Sequence, residues 1–383
     1  MEDIHPQEQR HKAGQDTPGG GDARRSAWAS TATGNVSVHW VTAHLPEKRT
    51  SVSLFDREQR ERTKSTSLSE GAAVATGAGR RRSPEKPDPF RTCFQRDRDR
   101  ILHSDAFRRL AGKTQVFVFP RDHQRTRLTH ALEVSQVASS IARALRLDVD
   151  LTEAIALGHD CGHGPGGHSS EAALQPYVDG GFDHAPWGAY EVLSPLNLCE
   201  ETLDGIANHS WSRPAPATLE GEVVALSDRI AYCTHDFEDA WRAGIIERED
   251  LPREVRTLVG TTRGSQLNAL IEDVIWLAAD RGVVGLSHPM GEALAAFRNF
   301  NYDHIYNRPE SQRQGQAVID LLQALTEHLL AKPELVPDLQ LSADPARQVI
   351  RYVAGMTDRY AFQMAIDLLG WTTDRLPRGI DVS

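Results

Sequence analysis

The sequence predicts an all-α protein behind a disordered N-terminal leader. Two observations carry this. After residue 88, apolar residues recur at spacings of three and four and no segment sustains the alternation of a strand. Before it, residues 1–87 are rich in Gly, Ser, Thr, Arg and Gln, with Pro18-Gly-Gly-Gly and Arg80-Arg-Arg-Ser-Pro-Glu-Lys-Pro but almost no aliphatic periodicity. The alternation over residues 36–41 has no partner sheet and is read as part of that leader. With 383 residues and 39% hydrophobic content, the chain can bury one large core or two smaller ones.

Taken in order, the periodicity predicts helices over 97–112, 126–147, 151–159, 168–176, 218–243, 263–280, 288–300, 311–331 and 343–369. The second carries Leu128, Leu132, Val134, Val137, Ile141 and Leu145 on its apolar side. For the third, Asp150-Leu-Thr-Glu153 reads as a capping-box start. In the fifth, Asp228, Tyr232, His235 and Asp239 share one stripe, opposite Val223, Leu226, Ile230, Phe237 and Trp241. Three parts result: the leader 1–87, a core 88–243, and a helical C-terminal part 244–383 packed on the core.

The chemistry concentrates between the third and fourth helices. His159-Asp160-Cys-Gly-His163-Gly-Pro-Gly-Gly-His168-Ser-Ser-Glu171 places three imidazoles and two carboxylates in thirteen positions, with four glycines that let the backbone turn tightly. Imidazole nitrogen and carboxylate oxygen together suit a divalent metal of the Mg, Mn, Fe, Ni or Zn group. His130 opens the second helix and Asp228 lies on the polar stripe of the fifth. His130, His159, Asp160 and Asp228 would neutralise such an ion and leave positions open, the mark of a catalytic rather than a structural site. His168 and Glu171, spaced i, i+3, fall on one helical face, where the carboxylate can orient the ring for acid–base work.

The order His130, His159-Asp160, Asp228 resembles the H...HD...D signature of HD-domain metal-dependent phosphohydrolases. Flanking blocks extend the likeness: Arg108-Arg-Leu-Ala-Gly-Lys-Thr-Gln115-Val, Arg125-Thr-Arg-Leu-Thr-His130-Ala-Leu-Glu133-Val, Leu196-Asn-Leu-Cys-Glu-Glu-Thr-Leu-Asp-Gly-Ile and Ala354-Gly-Met-Thr-Asp-Arg-Tyr360 look like the deoxyguanosinetriphosphate triphosphohydrolase-like proteins. The resemblance implies the HD helical fold with its metal site between helices, Mn or Mg as first choice of metal with Fe, Ni or Zn as alternatives, and cleavage of a deoxynucleoside triphosphate to deoxynucleoside and inorganic triphosphate. It gives His168 and Glu171 catalytic roles and adds His163, which matches a histidine present in some members and replaced in others. Carried over residue by residue, Arg127 contacts phosphate, Gln115 and Asp236 meet the 3'-hydroxyl, Tyr232 packs on the deoxyribose, and Arg229 stands where a basic phosphate ligand can sit. A dNTP or single-stranded DNA effector is compatible with this reading, and a homo-oligomer is expected by resemblance. Gly164 and Gly166 replace the usual proline and phenylalanine, which is expected to loosen the turn presenting His168. The segment Phe182-Asp-His-Ala-Pro-Trp-Gly-Ala-Tyr lacks the Asn and Gln that many relatives carry there, which opens the base preference.

Charge and cysteine content bound the alternatives. The net charge is −10, yet residues 91–146 hold twelve Arg or Lys against five Asp or Glu, a local excess expected to meet a polyanion. Four cysteines without C-x-x-C pairing argue against disulfides and a thiolate zinc site. No segment reads as a signal peptide or a membrane span, so a soluble, cytoplasmic protein is expected. Two other readings stay open: an HD phosphohydrolase acting on another nucleotide, and a nucleotide-sensing regulator that binds nucleic acid through its basic stretch.

Overall fold

Helices account for nearly all regular structure in the computed structural model, which describes residues 53–118, 124–337 and 344–378. Among them, only isolated bridges, Arg81 to Cys199 and Thr114 to Thr126, interrupt the helical pattern. The helices are α1 Arg57–Ser67, α2 Cys93–Leu102, α3 Asp105–Arg109, α4 Arg127–Ala144, α5 Val149–Gly158, α6 His168–Leu174, α7 His184–Trp187, α8 Glu200–Ala207, α9 Leu219–Arg242, α10 Arg263–Arg281, α11 His288–Asn301, α12 Pro309–Ala331, α13 Pro345–Ala354 and α14 Asp358–Leu369. None is long and apolar enough to cross a membrane.

Two predicted helices are each broken by a polar cap. The 97–112 element divides where the Ser104 hydroxyl accepts from the Phe107 amide at 3.1 Å, starting α3 afresh. The last element divides at Thr357, whose hydroxyl accepts from the Tyr360 amide at 3.3 Å and starts α14. The cap of α5 also lies two residues before the expected one: Asp148, not Asp150, accepts from the amides of residues 150 and 151. Short α7 and α8, of four and eight residues, went unread because neither is long enough for a sustained helical period.

The expectation of a structureless leader is corrected for residues 56–87; residues 1–52, with the alternation at 36–41, lie outside the described residues. α1 buries no residue, so no apolar period announces it. It starts at a capping box of Asp56 and Gln59 and docks by charge, with Lys64 Nζ 2.9 Å from Asp148 and 2.5 Å from Asp150. Further on, Arg81 lies 2.6 Å from Asp97, both side chains almost fully buried. Asp97 also accepts from the Cys199 amide and the Thr202 hydroxyl, each at 2.7 Å, so the segment is tied into the fold. Arg81→Ala leaves that carboxylate buried without its cation and is expected to cost about 3 kcal/mol. A chemical denaturation midpoint unchanged from wild type would remove this role.

The interior forms two apolar clusters. The larger joins α2, α4, α5, α9, α10 and α11 through residues such as Phe94, Ile101, Val134, Ile141, Ile155, Ile230, Phe237 and Phe297. The smaller joins α6 and α7 to α12, α13 and α14 through Leu174, Trp187, Leu321, Leu325, Val353 and Phe362. Because α10 and α11 share the first cluster, the division expected at residues 243 and 244 follows neither core. All four cysteines are buried and free.

Candidate metal and substrate site

Three helix ends and one helix face converge on one cavity. α4 delivers Arg127 and His130 from its first turn; the C-terminus of α5 delivers Asp160, next to the buried His159; α6 starts at His168; and one face of α9 supplies Asp228, Arg229, Tyr232 and Asp236. Of the expected stripe, Asp228 and Tyr232 line this cavity of about 500 Å³, joined by Arg229 and Asp236, whereas His235 and Asp239 do not.

Of the four residues expected to ligate an ion, His130, His159 and Asp228 come together as one set of ligand atoms, and Asp160 forms a second set with His159 and His209. Asp228 Oδ1 is 2.9 Å from His130 Nε2 and 3.7 Å from His159 Nε2, and Asp160 lies 3.5 Å from His159 and 4.0 Å from His130. An octahedral ion with bonds of about 2.1 Å has neighbouring ligands about 3 Å apart, so the cluster is of the right size. His159 Nδ1 donates to the Ala156 carbonyl at 2.7 Å, which turns the Nε2 lone pair inward, where it is buried without a hydrogen bond. Burial alone would raise Asp160 and Asp228, but Arg127 and neighbouring imidazoles outweigh it at Asp160, and the His130, His159 and His209 imidazoles outweigh it at Asp228, so both carboxyls are held well below their usual range. Two anionic oxygens, two imidazoles and an orphaned nitrogen fit a divalent cation.

Beside this group, Glu171 Oε1 meets three imidazoles: His184 at 2.6 Å, His168 at 3.3 Å and His163 at 3.6 Å. His163 stacks on His184 at 3.7 Å between ring centres and also lies 3.2 Å from Asp160, which links the two groups. The His168 side chain is 74% exposed and so stands at the cavity mouth. Burial and the Arg127 charge push His163 far below its usual value. Burial lowers His184 as well, yet the Glu171 contact wins and raises it. His184 and His209 were absent from the predicted site. His209 Nε2 is 3.2 Å from His184 Nε2, and its own Nδ1 is held by the Ile206 carbonyl. Only the Phe-x-His block around residue 184 offered a signal for the first; His209 had none beyond being a histidine after a helix.

On the substrate side, unpaired buried polar atoms collect. Arg127 gives one nitrogen to Asp160 at 2.8 Å, while its Nε and Nη2 make no hydrogen bond; nor do Gln115 Oε1 and the Nε atoms of Arg229 and Arg298. The Arg229 guanidinium lies 3.4 Å over the Trp211 ring. Tyr232, half-buried, lines the same wall. Asp236 is already engaged by Arg125 and the Tyr306 hydroxyl. Arg298 and Tyr306 also line the cavity and were not foreseen, because they come from outside the motif blocks.

Many described arginines of the basic stretch are paired with carboxylates. Arg91 pairs with Asp88 and Asp99, Arg98 with Asp150 and Glu153, Arg100 with Glu85, and Arg125 with Glu133 and Asp239. Arg127, which lines the cavity, keeps two buried nitrogens without a hydrogen bond. The glycine turn is likewise not loose. Gly166, at φ +70°, donates to Asp358 at 2.8 Å, and a Cβ there would lie 2.4 Å from Val318. Gly166→Ala is expected to cost about 2 kcal/mol, combining a disfavoured φ with overpacking. An unchanged melting temperature would show that the turn relaxes freely.

Comparison with known proteins places this geometry. Residues 127–233 match the HD domain and residues 284–365 the phosphohydrolase-associated domain. The deoxyguanosinetriphosphate triphosphohydrolase-like protein of Caldanaerobacter subterraneus is 45% identical over 294 residues, covering 74% of this chain and 86% of that one. The chain belongs to the deoxyguanosinetriphosphate triphosphohydrolase-like family. A second member, from Clostridium perfringens, is 40% identical over 324 residues, 79% of this chain and 94% of its own. A third, from Desulfatibacillum aliphaticivorans, is 36% identical over 334 residues, 80% and 95%. Among solved structures, a hypothetical protein from Aquifex aeolicus matches at TM-score 0.43 and 18% identity over 73% of this chain and 69% of that one. As an HD phosphohydrolase, the chain presents its histidine–aspartate cluster inside the matched HD segment and its Arg298 and Tyr306 walls inside the associated one.

Proposed function

We propose that this HD phosphohydrolase cleaves deoxynucleoside triphosphates to deoxynucleoside and inorganic triphosphate. The observation that carries the reading is that Arg127, Arg229 and Arg298, each with a buried nitrogen that has no hydrogen bond, line the same cavity as the histidine–carboxylate cluster. Buried donors left unpaired are costly unless an acceptor-rich ligand completes them, and a polyphosphate does so. The names of the family's members point to the same substrate class.

His130, His159, Asp160 and Asp228 would hold the divalent cation, Mn or Mg before Fe, Ni or Zn, which when bound lowers the pKa of water and withdraws charge from the phosphoryl group. Arg127 binds phosphate with its two free nitrogens while Asp160 fixes its plane. His168, steadied by Glu171, moves the proton between solvent and the reacting oxygens, with His163 and His184 completing the relay. Gln115 reaches for the sugar hydroxyl with its free carbonyl oxygen, and Tyr232 packs on the deoxyribose. Asp236, braced by Arg125 and Tyr306, offers a fixed acceptor beside it.

The test is to incubate the purified chain with Mn or Mg and each of the four dNTPs, alone and mixed, beside an Asp160→Ala control. Free deoxynucleoside with inorganic triphosphate, absent in the control, supports the reading; release of mono- or diphosphate, or no product from any mixture, overturns it. Gln115→Ala is expected to raise KM about tenfold, the worth of one hydrogen bond to a buried acceptor. An unchanged KM would remove Gln115 from the sugar site.

A further inference from the structure

The Ala354-Gly-Met-Thr-Asp-Arg-Tyr360 block stood out in the sequence without a role. In the fold, its Asp358 lies at the first turn of α14, in the associated domain, yet its carboxylate is 4% exposed and reaches into the HD segment. One oxygen accepts from the Thr114 amide at 2.9 Å and the Thr114 hydroxyl at 2.5 Å; the other accepts from the Gly166 amide at 2.8 Å. Thr114 precedes Gln115, and the Lys113 carbonyl receives the amide of Arg127. Gly166 stands two residues before His168. Buried Lys113 runs alongside, its ammonium donating to the Ala354 carbonyl at 3.0 Å and to the His163 carbonyl. Both ties cross from the C-terminal block to the catalytic loop. Neither Asp358 nor Lys113 lines the cavity.

We propose that Asp358 is a positioning residue: its carboxylate clamps the loop bearing Gln115 to the loop presenting His168, so that the associated domain sets the geometry of the HD site. A bidentate carboxylate suits this because both of its neighbours are donors and it has only acceptors. The left-handed Gly166 exposes its amide to Asp358, and a side chain at that position would be driven into Val318. The kinetic part rests on the roles proposed above for Gln115 and His168; the clamp itself rests on the contacts alone.

Asp358→Asn keeps the shape but turns one acceptor into a donor facing another donor. Two readouts on the full chain decide the matter: hydrogen exchange of peptides covering 112–116 and 163–168, and steady-state kinetics on the dNTP that wild type turns over. Expected are exchange about tenfold faster in both loops and kcat lowered about tenfold or more, since misplacement by an ångström carries penalties of this order. KM should rise by no more than the about tenfold expected of losing Gln115 itself, because the arginines and the metal cluster are untouched. Thr114→Val, which removes the hydroxyl arm alone, should give a smaller loss of the same sign, and it decides the question should Asp358→Asn not fold. Unchanged loop exchange overturns the clamp, as does faster exchange spread uniformly over the chain with kcat within about twofold of wild type. Should wild type turn over no dNTP, the substrate reading falls and loop exchange alone supports or overturns the clamp.

Discussion

Asp228→Ala is expected to strip the site of bound metal and to lower turnover by about a thousandfold or more, while the far-UV signal of the helices stays intact. Its carboxylate bridges His130 and His159 at 2.9 and 3.7 Å, and it is the one proposed ligand contributed by α9. Without it, two imidazoles and one carboxylate remain, and Asp160 is already committed to Arg127 at 2.8 Å. Arg127 then becomes the principal counter-charge, and a ring pair with a single shared anion is a poor trap for a hard cation. The side chain projects from the polar stripe, so its loss opens no apolar void. Metal content after exhaustive dialysis, measured by elemental analysis, checks this. One equivalent of tightly held Mn in the variant would mean that Asp228 is not a ligand, and His209, near His159 and Asp160, would take its place.

Glu171→Gln is expected to lower kcat by about two to three orders of magnitude with metal stoichiometry unchanged. One oxygen of this carboxylate serves three imidazoles. Burial would raise its pKa, but the hydrogen bonds with His168 and His184 win and hold it well below the ordinary carboxylate range, so it stays ionised through neutrality. It therefore acts as a fixed anion that favours protonated His184 and holds the other two rings in place. Glutamine preserves volume and one acceptor but removes the charge, so the imidazolium form loses its support. Stopped-time assays beside elemental analysis separate this from metal loss. Turnover within about threefold of wild type would mean that the imidazoles position themselves without the carboxylate.

Much of the site was legible because its residues are local in sequence. His159 and Asp160 are adjacent, His163, His168 and Glu171 follow within a dozen positions, and helical spacing alone put Asp228, Tyr232 and Asp239 on one stripe. The polar contribution of α1 was not legible. A helix held by Lys64, and a following segment tied down by a buried Arg81, have no apolar period, and composition reads their charges as solvated. The basic stretch misled in the opposite sense: its arginines are mostly spent on carboxylates that lie far off in sequence, such as Glu85, Asp150 and Asp239.

The sequence by itself determined the helical class, the family resemblance and the nucleus of ligands around His159-Asp160, since helical periodicity and adjacent donors are properties of a local stretch. Tertiary structure alone decided which polar atoms remain unpaired and which distant residues complete the cavity. His184 and His209 join through α7 and the end of α8, Arg298 and Tyr306 through the associated domain, and Asp358 through three hydrogen bonds spanning 192 to 244 positions. Such pairings cross long stretches of chain, and a hydrogen bond leaves no periodic trace in sequence from which its partner could be read.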